Sequence, residues 1–427
     1  MTTKGFRKAG NLPTLIAALV HFDVSFMVWV LLGALGAYVA EDLGLNGAQK
    51  GLMVALPPLG GAAFRLLLGP LADRVGIKRL GLITMSLTFV PLLWASVAGG
   101  TYVQILGIGF LLGIAGASFA VALPLASRWY PPEYQGLALG IAGAGNSGTV
   151  IAVLAAPRLA ERYGWHAVFG LAAIPVAAAW LAFALLAKEP PRPANAPHTS
   201  GGVFGLLKDS DPRWLCAFYL VTFGGFVGLS GYLPIFYVDH FGVSKVVGAE
   251  LTALGAISAS LVRPFGGAVA DRVGGTRVVL AVLLGAAGLA TVLALDPVLP
   301  VTVGLLVAVM ALLGLGNGAV FQLVGSRVAS RVGAMTGLVG AAGGLGGFLL
   351  PFGFGVLTTV TGGFGVGFLV FAVIAFAAGL GARSRHRAWS FRPGELDLVG
   401  ESLHDQSLDP EAPTPVAIAM ALPGVER

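Results

Sequence analysis

Two arginines interrupt long apolar runs in which a charge is costly to place. Arg65 and Arg263 each precede an Ala-Asp-Arg-Val-Gly stretch, with Asp73 and Asp271 eight positions further on in the two copies. At 1.5 Å rise per residue, each arginine sits about 12 Å from the polar end of its helix, near the middle of a ~30 Å hydrocarbon layer. A guanidinium keeps its charge there, and holding it costs at least ~2.5 kcal/mol, so each needs a partner. A permanent carboxylate or a bound anion would serve. The only obvious acid at that depth is Asp23, in HFDVSFMVW. One carboxylate for two arginines favours an anion site over structural pairing.

Asp23 itself has two readings. It forms a fixed polar contact with a neighbouring helix or an arginine, or it binds and releases a proton. His21, two positions away, points to a different side of the helix and does not share its role. Asn146 offers an amide donor, and Asn317, in GLGNGAVFQL, either lines a cavity or bridges helices. Phe119 and Phe226 are ordinary core or flat surfaces against a planar ligand.

Glycine marks the helices that must approach such a site. The segments AGAGNSGT at 142–149 and AAGGLGGF at 341–348 are displaced by almost the same distance as the two arginines. Side chains are missing along one face of each, which makes either a packing surface or a shallow slot where a small ion meets backbone. Together with the repeated RLLLGPLADRVGIKR and RPFGGAVADRVGGTR stretches, this predicts two homologous halves.

Composition fixes the solvent. The chain is 56% hydrophobic and 11% charged, with mean hydropathy +0.86, whereas soluble domains carry about 25% charged residues. Apolar runs predict twelve membrane helices near 13–40, 48–72, 79–99, 101–127, 135–159, 165–187, 213–238, 247–271, 277–296, 300–326, 333–360 and 363–383. The expected architecture is an all-α membrane protein with six-helix halves at 1–187 and 213–383. Between them, 188–212 is a proline-rich cytoplasmic linker, and 384–427 reads as a disordered cytoplasmic tail. Twenty basic residues fall beside even-numbered breaks or the termini, against Lys50, Arg158, Arg162 and Lys245 on the other side, so both termini are expected in the cytoplasm.

The net charge of +6 therefore reflects membrane orientation, and no nucleic-acid partner is expected. Cys216, the single cysteine, allows no internal disulfide and fits no metal spacing. The polar breaks hold no Ser/His/Asp set, metal-ligand pattern or phosphate loop, so neither an enzyme nor a cofactor is expected.

These stretches resemble known sequences. GPLADRVGIKR and GGAVADRVGGTR are similar to the loop motif of the major facilitator superfamily, which implies gating roles for Asp73, Arg74, Asp271 and Arg272. AGAGNSGT and AAGGLGGF resemble the paired signature of the nitrate/nitrite porter family, as do SFMVWVLLGALG and LVRPFGGAVADRVGG, and the resemblance runs from helix one to helix twelve. It implies a major facilitator fold, arginines Arg65 and Arg263 clasping the anion, and signature helices closing on it through Gly145, Asn146 and Gly344. Leu345 stands where the first copy has Asn146, so the second copy offers no amide donor at that position. The implied function is nitrate or nitrite transport across the cytoplasmic membrane by a monomer, by proton symport or nitrate/nitrite exchange. Nitrate suits the site physically: a planar monoanion matches the arginine fork, whereas a phosphate ester wants more donors. A small-monocarboxylate carrier and a membrane nitrate sensor signalling through 384–427 are the competing functions.

Overall fold

The protein is described by a computed structural model that covers residues 8–190, 205–328 and 332–390. Side chains at 70, 73, 132–133, 135–137, 140, 144, 332–333, 387 and 390 lie outside that description. Helices supply the regular structure of the described residues. In chain order they are α1 (Leu12–Trp29, Leu31–Ala34 and Gly36–Asp42), α2 (Gly47–Val75), α3 (Ile77–Val97) and α4 (Tyr102–Gly116 and Phe119–Ser127). Then come α5 (Pro132–Gly143, a 3-10 turn at Ala144–Ser147, and Gly148–Tyr163), α6 (Trp165–Leu186), α7 (Ser210–Phe241) and α8 (Lys245–Val273). The last are α9 (Gly275–Leu293), α10 (Leu299–Arg327), α11 (Val332–Thr361) and α12 (Gly365–Ser390). Eleven are long and apolar enough to cross a bilayer. The twelfth, α5, falls short only because its 3-10 turn divides it.

The ends differ from the sequence reading for local reasons. Helix α7 starts at Ser210, inside the expected linker, because Asp211 and Pro212 are both suited to a first helical turn. It continues through Asp239 and His240 to Gly242, whose φ of 65° closes it in the left-handed region. Helix α12 runs on to Ser390. The linker core at 191–204 and the tail at 391–427 lie outside the described residues.

Both Ala-Asp-Arg-Val-Gly copies end α2 or α8 in the same way. Gly76 and Gly274 take φ of 98° and 93°, a conformation that L side chains rarely adopt, and the next helix begins at once. Glu189, just past α6, accepts hydrogen bonds from the Ile77 and Lys78 amides and caps α3. Arg74, Asp271 and Arg272 are exposed at this end. The Asp73 side chain lies outside the described residues.

The first six helices meet the last six most closely at the end that carries the loops after odd-numbered helices. A Cβ on Gly51 would lie 2.5 Å from Pro351 O, and one on Gly33 would lie 2.7 Å from Gly231 Cα. Small residues are required at both crossings. Three ion pairs bridge the same seam: Lys50 to Asp239 at 2.7 Å, Arg158 to Glu250, and Lys245 to Glu41. Partly exposed pairs of this kind contribute about 0–1 kcal/mol each, so they fix register more than they add stability.

Candidate anion site

Arg65 is 1% exposed, and backbone carbonyls rather than a carboxylate hold it. Its Nε donates to Gly116 O at 3.0 Å, and one terminal nitrogen, Nη1, donates to Gly340 O of α11 at 2.6 Å. The first acceptor is available because α4 breaks at Ala117 and Ser118: the Ala120 amide donates to Ala117 O at 2.9 Å instead of reaching Gly116 O. Helix α11 supplies the second without any break. This approach does not require glycine at 340, since a Cβ there would make ordinary contacts, 3.5 Å from Phe119 Cδ1 and 3.6 Å from the arginine Cδ.

Aromatic rings enclose the guanidinium. Its Cζ lies 4.9 Å from the Trp29 ring centroid, 5.3 Å from Phe119 and 5.5 Å from Phe223. Such contacts are worth about 2 kcal/mol or more when desolvated, which offsets part of the burial cost. Trp29 fits because Gly61 and Gly116 leave it room, and its indole N–H donates to Pro57 O at 2.7 Å. Phe119 also packs on Phe22 and Phe321. Tyr219 stacks on Phe223 at 4.8 Å and meets Phe321 edge-on at 5.1 Å.

Arg263 on α8 is half-buried and stands within electrostatic reach of Arg65. The Tyr219 hydroxyl lies in the field of both. Arg65 Nη2 and Arg263 Nη1 are both buried without a hydrogen-bond partner, and the Tyr219 hydroxyl lies beside Arg263. A buried charged donor left unpaired costs more than ~1–3 kcal/mol, so the two guanidinium groups together form a strong receptor for an anion. No ion pair among the described residues involves either arginine.

The remaining sequence candidates divide. Asn146 lies in the 3-10 turn of α5, 2% exposed, with its carbonyl oxygen unpartnered. That turn touches both α1 and α8, the helix of Arg263. Gly145 serves helix contact: a Cβ there would meet Phe22 Cδ1 at 2.7 Å. Gly344 packs on α2, where a Cβ would be 3.0 Å from both Ala62 Cβ and Pro58 O. Phe226 is one turn from Phe223, with ring centroids 6.3 Å apart, and the ring against Arg65 is Phe223. Asn317 is 1% exposed, with its carbonyl oxygen unpartnered. Asp23 pairs with neither arginine. Its Oδ1 accepts from the Ser147 hydroxyl at 2.6 Å, and the Gly148 amide lies within reach of the same carboxylate.

Sequence reasoning missed Trp29, Tyr219 and Phe223. The signal for Tyr219 and Phe223 was their i,i+4 spacing, which puts both on one stripe of α7. For Trp29 it was the pair of glycines that make its slot, which are far apart in sequence.

Buried cations at the centre of a twelve-helix membrane bundle define a multi-pass carrier. The profile of the Major Facilitator Superfamily matches residues 17–351. A probable nitrate/nitrite transporter NarK2 of Mycobacterium tuberculosis (strain CDC 1551 / Oshkosh) is 35% identical, over 86% of this chain and 95% of its own length. A probable nitrate/nitrite antiporter NarK1 of Thermus thermophilus is 34% identical, over 80% and 84%. Among solved structures, a bacterial homolog of the human lysosomal transporter Spinster, inward-facing and occupied, superposes with TM-score 0.69. It is 18% identical, over 89% of this chain and 98% of that one, a likeness of fold alone. The chain belongs to the Major Facilitator Superfamily and, within it, to the nitrate/nitrite porter family.

Proposed function

We propose that this chain carries nitrate, nitrite or both across the cytoplasmic membrane by alternating access, with both termini in the cytoplasm. The observation that carries this reading is the pair of neighbouring guanidiniums with no carboxylate partner among the described residues, each keeping one buried N–H unpaired. A planar monoanion satisfies both forks, and the aromatic rings beside Arg65 suit its flat faces. The names of the Mycobacterium and Thermus relatives support the choice of anion, and the antiporter name supports exchange. Proton-driven uptake uses the same site. The anion crosses unchanged, with no covalent step, and a monomer is the working unit because one chain supplies every site residue. The Asp-Arg pairs in the last turns of α2 and α8 gate the cytoplasmic side, opposite the ion-paired seam.

The test is uptake of labelled nitrate into proteoliposomes, with and without internal nitrite and with an imposed pH gradient. Uptake accelerated by internal nitrite or by the gradient, and lost in Arg65→Lys, is expected. A small monocarboxylate that outcompetes nitrate overturns the reading.

A further inference from the structure

Among the described residues Asp23 is the one acid well inside a membrane helix, and the proposed anion site makes no use of it. Its surroundings are unusual for a membrane helix. The 3-10 turn Ala144–Ser147 interrupts α5, and a new helical segment starts at Gly148, exposing amides that the preceding turn does not satisfy in the α-helical way. The Gly148 amide turns back on Gly145 O and Asn146 O and also lies within reach of the Asp23 carboxylate. Ser147 stands in the cap position but does not cap the segment with its own side chain, and its hydroxyl donates instead to Asp23. Helix α1 and the turn are in backbone contact here: a Cβ on Gly148 would lie 2.0 Å from Asp23 O and 2.8 Å from the Met27 amide. The carboxylate that stands at this helix start therefore comes from another helix.

We infer that Asp23 is a positioning residue: its carboxylate holds the 3-10 turn of α5 in place and so fixes the Asn146 amide between α1 and the Arg263 helix. The inference rests on the proposed anion site and deepens it. It gives Asp23 the role of hydrogen-bond acceptor and not of proton carrier. An asparagine side chain at position 23 accepts the Ser147 hydrogen bond through its amide oxygen and keeps an acceptor near the Gly148 amide, whereas alanine offers neither.

The test uses the full chain in proteoliposomes. Asp23→Ala is expected to raise the KM for nitrate about tenfold, the size of effect that losing a helix cap has on an equilibrium, with little change in maximal rate. Asp23→Asn restores the KM to near the wild-type value and sustains whatever pH-driven accumulation the wild type shows. Adding Asp23→Ala to Asn146→Ala has no further effect, because both act through one amide. Hydrogen exchange over residues 144–150 gives a readout independent of substrate: exchange speeds up in Asp23→Ala and stays protected in Asp23→Asn. Additive KM effects, unchanged exchange in Asp23→Ala, or an Asp23→Asn chain that exchanges anions but no longer accumulates them under a pH gradient each overturn the proposal. A wild type that carries no nitrate overturns the proposed function instead, and the exchange measurement still decides the role of Asp23.

Discussion

Helices α5 and α11 carry the two copies of the glycine signature, yet they do different work. Helix α5 breaks at Ala144–Ser147 and lays its glycines on the backbone of α1. Helix α11 runs unbroken: Gly346 lies on the backbone of α7, where a Cβ would be 2.0 Å from Leu220 O, but a Cβ on Gly343 would strike the Phe223 and Tyr219 rings at 2.7 Å, and Gly340 faces Arg65. The displacement that takes Asn146 to Leu345 takes Asp23 to Thr222, which is buried with its hydroxyl unpartnered. The second half therefore has no acid to cap a break, and no break. Duplication preserved the backbone approach, while the polar chemistry diverged. The arginines follow the same rule, with Arg65 bound to two carbonyls and three rings and Arg263 half-buried.

The largest expected effect tests that inequality. Lysine at 65 cannot serve Gly116 O, Gly340 O and an anion together, and breaking a buried charged contact costs ~3–5 kcal/mol, so Arg65→Lys should lower uptake by about 100-fold or more. Arg263→Lys should also reduce uptake severely, but by less, because its guanidinium has fewer fixed partners. Equal losses with normal expression of both would show that the two halves grip the anion alike.

The glycines rank next. Gly145→Leu must displace Phe22 and the Asp23 amide, and Gly344→Leu must separate α11 from Pro58 and Ala62 of α2. Each should slow turnover about tenfold or more, since overpacking costs ~1–3 kcal/mol. Slow turnover with unchanged KM is the expected result at 344, where the seam between halves moves. A raised KM is expected at 145, where the turn bearing Asn146 moves. The same pattern at both positions would remove the distinction. Among the aromatics, Phe223→Leu should weaken nitrate binding about fivefold through loss of the ring beside Arg65, and Phe226→Leu by no more than about twofold. Initial-rate KM measurements separate them.

Much of this was legible in the chain. The long apolar runs, the paired arginines and the Ala-Asp-Arg-Val-Gly repeats placed twelve helices and a central charge, because bilayer thickness and the cost of a buried guanidinium are strong constraints. The breaks in α1, α4 and α5 were not legible. Glycine and alanine there are compatible with continuous helix, and it is tertiary partners, the Arg65 guanidinium donating to Gly116 O and the Asp23 carboxylate accepting from Ser147, that favour the broken form. The choice between Phe223 and Phe226 depends on the rotation of α7 about its axis. Hydrophobic periodicity does not fix that rotation in a helix buried on nearly every side.

The smallest expected effect is the sharpest test of the comparison. If the signature copies were functionally equivalent, Leu345→Asn would supply the missing amide and tighten nitrate binding. The structure argues otherwise: Asn146 is 2% exposed inside the turn, whereas Leu345 is 40% exposed, on the outer face of an unbroken helix. Successive helical positions are rotated by about 100°, so the glycines on either side of Leu345 can face α2 and α7 while its own side chain points away from the arginines. An amide placed there meets no anion, and Leu345→Asn should leave the KM within about twofold of wild type, as exposed substitutions generally do. The reverse exchange, Asn146→Leu, removes a buried amide beside the Arg263 helix and should raise the KM about tenfold, the cost of a hydrogen bond to a charged group. A Leu345→Asn chain that binds nitrate several-fold more tightly would place helix eleven's side chains in the site and break the asymmetry between the halves.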